Sequence, residues 1–259
     1  MDGSNPFFTD RRVRRAMAHA FNYDLIREAV SYNLPTRCYG IYHPDSPMFN
    51  PTIELIEYDL EQADQLLTEA GWEKDPRNGR RFKIIDNRRV DFDFTLSIPM
   101  CASSSELIAA IYAQDLRRLG ITMRTRVIEW ATFGQMMLEH DFQAAIAGWG
   151  TGTDPDTGWN LWRTEMYDEG RNYGGYSNPR VDELFEQGRH EFDHEQRMKI
   201  YAEIQKLIYD DQPYLFMFNT TTLWAVHKRI RGLQFSPRGL FGFYPGESAW
   251  WVHTADALR

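Results

Sequence analysis

His190-Glu191-Phe192-Asp193-His194 matches H-E-x-x-H, the spacing that puts two imidazoles and a glutamate around zinc. The chemistry needs one continuous helix, because only then do residues i and i+4 share a face. Here the apolar stripe Val181, Leu184, Phe185, Gly188, Phe192 loses phase after Phe192. Asp193 with Gln196 then reads as a fresh capping box. The motif is expected to straddle a helix break, and a zinc-dependent hydrolase using His190, Glu191 and His194 stands as the alternative reading. Asp154 and Asp156 could be a catalytic carboxylate pair. Residues i and i+2 about a proline usually point apart, however, so turn and cap roles are expected of both. Cys38 and Cys101 make neither a disulfide framework nor a metal cluster, and the sequence leaves their pairing open. There is no G-x-S-x-G elbow, no P-loop and no G-x-G-x-x-G at a strand-to-helix turn.

A second group of residues suits binding better than catalysis. The stretch 129–162 reads as a short helix, an apolar strand (142–149) and a glycine and threonine turn ending in Asp154-Pro155-Asp156. Trp130, Trp149, Trp159 and Trp162 flank it, half of the eight tryptophans of the chain. Locally this is either the mouth of a ligand cleft or a set of indoles filling a core.

The elements that must position these residues decide between the two. Asp10 caps a helix with Val13, Ala16, Met17 and Ala20 on one face, and a second helix is expected from Asp24 with Leu25, Ile26, Ala29 and Val30. Five prolines and glycines break 34–51 into a loop. The clearest helix begins at Asp59, with Gln62 at the capping-box position and Gly71 at its stop. Residues 73–90 are polar and turn-rich, followed by an alternating strand over 91–96. A helix from Ser104 or Ser105 to Leu119 and a strand over 121–128 complete a βαβαβ pattern across 91–149. That pattern implies an α/β sheet with functional loops at the carboxyl ends of its strands. The loops 100–105, Glu129-Trp130 and 149–156 should therefore gather on one edge, which favours the cleft. Helices follow over 181–189 and 193–211, then a buried strand over 214–218.

Composition excludes other classes. The 259 residues are 42% hydrophobic and 25% charged, ordinary for a globular protein. A net charge of −8 argues against a nucleic-acid partner, which needs a basic face. No apolar run approaches the ~18 residues of a membrane span. The opening MDGSNPFFTDRR lacks the basic start and apolar centre of a secretory signal.

Five segments in order resemble the C-terminal lobe of the extracytoplasmic solute-binding proteins of family 5. PFFTDRRVRRAMAHAFNYDLI is similar to the family's P-F-x-D-x-R-V-R opening, and YDLEQADQLLTEAGW to its Y-D-x-x-x-A-x-x-L-L-x-E-A-G helix. The strand pair bearing Glu129-Trp130 and the Gly148-Trp149 turn also fit. NYGGYSNPRVDELF and EQRMKIYAEIQKLIYDDQPYLFMF resemble its N-P-x-x-D-x-L and Y-x-x-x-Q-x-x-I-x-x-D-x-P segments. The resemblance implies a lobe of the periplasmic-binding-protein type II fold, a mixed sheet flanked by helices. Residues 1–228 would be the ligand-binding lobe, and 229–259 would return toward an N-terminal lobe that is missing here along with the signal sequence.

It further implies a non-enzymatic binding protein with no cofactor, periplasmic or extracytoplasmic, serving the membrane permease of an ATP-driven importer. Its solute would be a peptide, an oligosaccharide or a metal chelate. Trp130 and Trp149 fall at the family's pocket-lining tryptophans, while Trp159 and Trp162 are expected to pack. Peptide binders place an aspartate just after the second tryptophan to pair the solute's ammonium group. Gly150, Thr151, Gly152 and Thr153 stand there instead, before Asp154. That departure suits a neutral solute, a sugar or a peptide held another way.

Overall fold

The computed structural model describes residues 5–100, 103–150, 152, 154–236, 239–241 and 243–254. They form two compact units, Met1–Asn219 and Thr220–Arg259.

In the first unit, Asp10 accepts the Arg12 N–H at 2.8 Å and starts α1 (Arg11–His19), which buries Val13, Ala16 and Met17. The side chain of Arg14 donates to the carbonyls of Phe8, Thr9, Asp211 and Gln212, so the two chain ends of this unit are tied together. Helix α2 (Tyr23–Ser31) starts at an Asn22 cap rather than at Asp24. Tyr23 and Ile26 are its buried residues, whereas Leu25 is exposed, contrary to the expected face. Strand β1 (Thr36–Arg37) precedes a long loop, and Asp59 then caps α3 (Leu60–Glu69) by accepting from Glu61 and Gln62. The reciprocal half of that capping box is not made, because the Asp59 N–H donates to His19 O.

The expected loop at 73–90 is in fact an antiparallel sheet of β2 (Glu73–Lys74), β3 (Arg81–Ile85) and β4 (Arg88–Asp91). Its tight turn has Asp86 and Asn87 at φ 48° and 59°, the twist a two-residue hairpin requires. Arg81 is buried at 1% exposure and spans the joint between this sheet and the rest. Its guanidinium donates to Leu119 O, Trp72 O and Asp64 O, and pairs with the Asp64 carboxylate.

The central sheet is parallel, in the order β6-β5-β7: β5 (Asp93–Pro99), β6 (Thr122–Ile128) and β7 (Ala144–Ala145). Helix α4 (Ser103–Arg118) covers one face, with Ala109, Tyr112 and Leu116 against Phe94, Leu96 and Ile98. Helix α5 (Trp130–Leu138) covers the other, where Phe133, Met136 and Met137 join Ile128. The expected strand 142–149 shrinks because Pro99 intervenes. Ile146 N–H donates to Ser97 O, and the next rung would need an N–H from residue 99, which proline lacks. Released there, 147–150 leave the sheet.

After the short helices α6 (Trp159–Trp162) and α7 (Met166–Glu169), a second core lies between α8 (Pro179–His190) and α9 (His194–Asp211), with Trp162, Tyr176 and Tyr201 inside it. The segment 214–218 runs extended between the cores, Leu215 and Met217 facing the first and Tyr214 and Phe216 the second. Only Phe218 of it enters a ladder, in β8 (Phe218–Asn219) against β1, so the expected buried strand is mostly a non-hydrogen-bonded stitch. The architecture is the expected α/β type.

In the second unit, β9 (Ile230–Arg231) pairs antiparallel with β10 (Trp251–Val252). Trp224, Phe241 and Trp250 make edge and tilted ring contacts, while Leu223, Phe235 and Tyr244 are largely exposed. Among the described residues, no helix is long and apolar enough to cross a membrane.

Candidate functional site

Parallel pairing brings the carboxyl ends of β5, β6 and β7 to one edge, as their order in the sequence implies. Trp130 begins α5 directly after β6. Glu129 caps that helix, accepting from Ala131 N at 2.8 Å and Thr132 N at 3.1 Å, and these bonds hold its carboxyl below the usual range. The Trp130 ring is 69% exposed and stacked on Phe133, 6.2 Å between centroids. It is a flat aromatic face held by its backside and open on the other, since N1 of a helix projects away from the packed stripe.

Trp149 is half-buried at the end of the released segment. Its ring lies 5.8 Å from that of Tyr173, and it lines the same cavity as Tyr214. Behind it a cavity of about 320 Å³ runs inward between β5, β7 and the 212–217 segment. Phe94, Leu96, Met123 and Leu215 supply apolar wall, and Tyr167, Tyr173 and His140 supply one side of it. His140 adopts φ 55° and aims both ring nitrogens at carbonyls, Nδ1 at Tyr173 O and Nε2 at Tyr167 O. Its ring also stacks on Tyr167 at 4.0 Å. Sequence reasoning missed His140, Tyr173 and Tyr214; only the two tyrosines, as aromatics flanking turns, left a signal there.

Burial pushes the Tyr214 phenol up to about 12, with the neighbouring Trp149 indole pulling the other way. Below an ordinary phenol value of about 10 the group is protonated whether folded or unfolded. Above it the unfolded chain loses the proton first, so folding stability falls as pH rises toward 12. Alkaline unfolding followed by ultraviolet absorbance should show this loss, and Tyr214→Phe should reduce it.

The glycine turn is described only at Gly150 and Gly152; Thr151 and Thr153 lie outside the described residues, as does Cys101. Asp154 accepts the Asp156 N–H at 2.9 Å and pairs with Arg197 at 3.2 Å. Asp156 meets Tyr201 Oη at 3.1 Å and Arg189 at 3.5 Å. Both carboxylates therefore serve the turn and the α8–α9 pair rather than the sheet edge. Trp162 is buried among Tyr176, Tyr214 and Phe216, and Trp159 lies under the Arg189 guanidinium at 5.3 Å. The structure thus brings Trp149 to the cavity, places Trp130 on the same edge, and turns Asp154 away.

The H-E-x-x-H motif is broken as its phase implied. His190 ends α8, Phe192 is 98% exposed, and His194 opens α9 beneath the Asp193 cap. His190 Nδ1 faces Glu186 O at 2.8 Å. Among the described residues, no three His, Cys, Asp or Glu side chains gather as a metal would require. The zinc hydrolase reading fails on this geometry. Replacing both histidines by alanine should change stability by no more than about 0.5 kcal/mol in a urea titration.

The chain aligns with the oligopeptide-binding protein AppA of Bacillus subtilis at 29% identity, over 96% of its own length and 45% of that protein's. With the dipeptide-binding protein of Escherichia coli it shares 26% identity over 90% and 42%. The solved structure of AppA with a nonapeptide superposes with a TM-score of 0.82, covering 97% of this chain and 49% of that one, at 28% identity. The chain spans about half the length of the curated relatives it matches. The model of bacterial extracellular solute-binding proteins, family 5 Middle, matches residues 1–168, and with that match across the opening helices and the parallel sheet, the chain belongs to family 5 of the bacterial extracellular solute-binding proteins.

Proposed function

We propose that the chain forms one lobe of a two-lobe binding protein, closing with an N-terminal lobe around a peptide-like or other small polar solute. The single observation that carries this is the sheet edge where Trp149 lines an open cavity of about 320 Å³ and Trp130 stands exposed at the end of the neighbouring strand. Relatives of twice the length, named for oligopeptides and dipeptides, support it. In this reading 1–228 form the lobe and 229–259 return toward the other one. Exposed Phe235, Tyr244 and Trp251 in the terminal unit fit such a contact. The protein works outside the cytoplasm and delivers its solute to the membrane permease of an ATP-driven importer.

Trp130, Trp149 and the turn 150–154 form this lobe's share of the site. Stacking on flat rings tolerates varied solutes. Asp154, already bound to Arg197 and to its own turn, does not hold a solute ammonium. Calorimetric titration of the full-length protein with peptides, oligosaccharides and metal chelates tests the reading. We expect peptides with blocked and free amino termini to bind about equally. Binding of none of the three classes would overturn the function, and binding of free-amine peptides alone would overturn the reading of the turn.

A further inference from the structure

We infer that the cavity behind Trp149 selects an uncharged apolar side chain of the solute and rejects acidic and basic ones; this deepens the solute-binding reading and rests on it. Much of the wall is hydrocarbon, from Phe94 and Leu96 of β5, Tyr112 of α4, Met123 of β6, and Leu215 and Met217 of the stitch. At about 320 Å³ it has room for a leucine or phenylalanine side chain. Among the described residues that line it, none is an aspartate or glutamate, so a lysine or arginine side chain would enter without a countercharge.

An acidic side chain fares no better. The cationic group of the wall is Arg14, and its guanidinium already donates to four backbone carbonyls. Both nitrogens of His140 face carbonyls as well. Several other polar groups of the wall are engaged as well. Gln143 Oε1 accepts Thr95 N–H at 2.7 Å, Thr9 donates to Asn5 O, Asn5 Oδ1 accepts Phe7 N–H, and Gln212 donates to Tyr209 O. A charged side chain buried there would exchange water for a largely hydrocarbon wall and meet no countercharge that is not already engaged, whereas an apolar one gains by leaving water.

The test is a calorimetric series on the full-length protein with peptides of one length, each position in turn being leucine, phenylalanine, aspartate or lysine. At one position the leucine and phenylalanine peptides should bind about tenfold to a hundredfold more tightly than the charged ones. Ala144→Leu, which fills the cavity from β7, should reduce the phenylalanine preference at that position. Equal affinity of all four side chains at every position overturns the inference while leaving the solute-binding function intact. Failure of every peptide to bind overturns the inference and leaves the solute-binding function to the titrations with oligosaccharides and metal chelates. Should Ala144→Leu not fold, the unmodified protein's series decides alone.

Discussion

Arg81→Ala should lower the unfolding free energy by about 3–5 kcal/mol, the cost of removing one partner from a buried charged network. The side chain is inaccessible to solvent and joins three separate pieces of chain: α3 through Asp64, the Trp72 carbonyl before the antiparallel sheet, and Leu119 at the end of α4. Alanine would strand those carbonyls away from water and leave a void. Arg81→Lys keeps the charge but not the planar fork that reaches several acceptors at once, so it should recover only part of the loss. Urea titrations of the three proteins check both statements. An alanine variant within about 1 kcal/mol of the parent would mean that water reaches these carbonyls.

Trp149→Ala should weaken solute binding by at least about 2 kcal/mol, roughly thirtyfold, as expected for a large aromatic at the centre of a closing site. Its indole is braced by the Tyr173 ring, so less side-chain freedom is lost when a solute packs on it. Trp130→Ala should cost less. Its ring stacks on Phe133, and most of it stays in water. Calorimetry with the tightest-binding solute measures both. Unchanged affinity in Trp149→Ala would remove that residue from the site.

Local chemistry made the helix starts legible. Asp10, Asp59 and Asp193 each accept an N–H of the following turn, as their positions imply. The glutamine halves of two capping boxes were not legible, because the backbone N–H of each cap found another acceptor: His19 O for Asp59 and Glu191 Oε1 for Asp193. The β3–β4 hairpin escaped notice since Arg88 and Arg89 stay exposed and its turn lacks the usual glycine. For the site, the parallel strand ends and the two tryptophans could be read from pattern and family position. The cavity wall could not. His140, Tyr173 and Tyr214 come from three distant segments, and only packing brings them beside Trp149.

The strand order β6-β5-β7 has a bearing on how this lobe behaves in concentrated solution. Among the described residues, β6 hydrogen-bonds to β5 alone, which leaves its outer backbone groups as a template for another chain. Along that rim stand Arg124 and Arg126, alternating with Met123, Thr125 and Val127. Adding the same strand of a second molecule side by side would align guanidinium with guanidinium in a lengthening row. The lobe therefore carries along that border a row of guanidinium groups, Arg124 paired to Asp93 and Arg126 beside it, that opposes such side-by-side stacking while leaving the faces of the sheet to hold their helices.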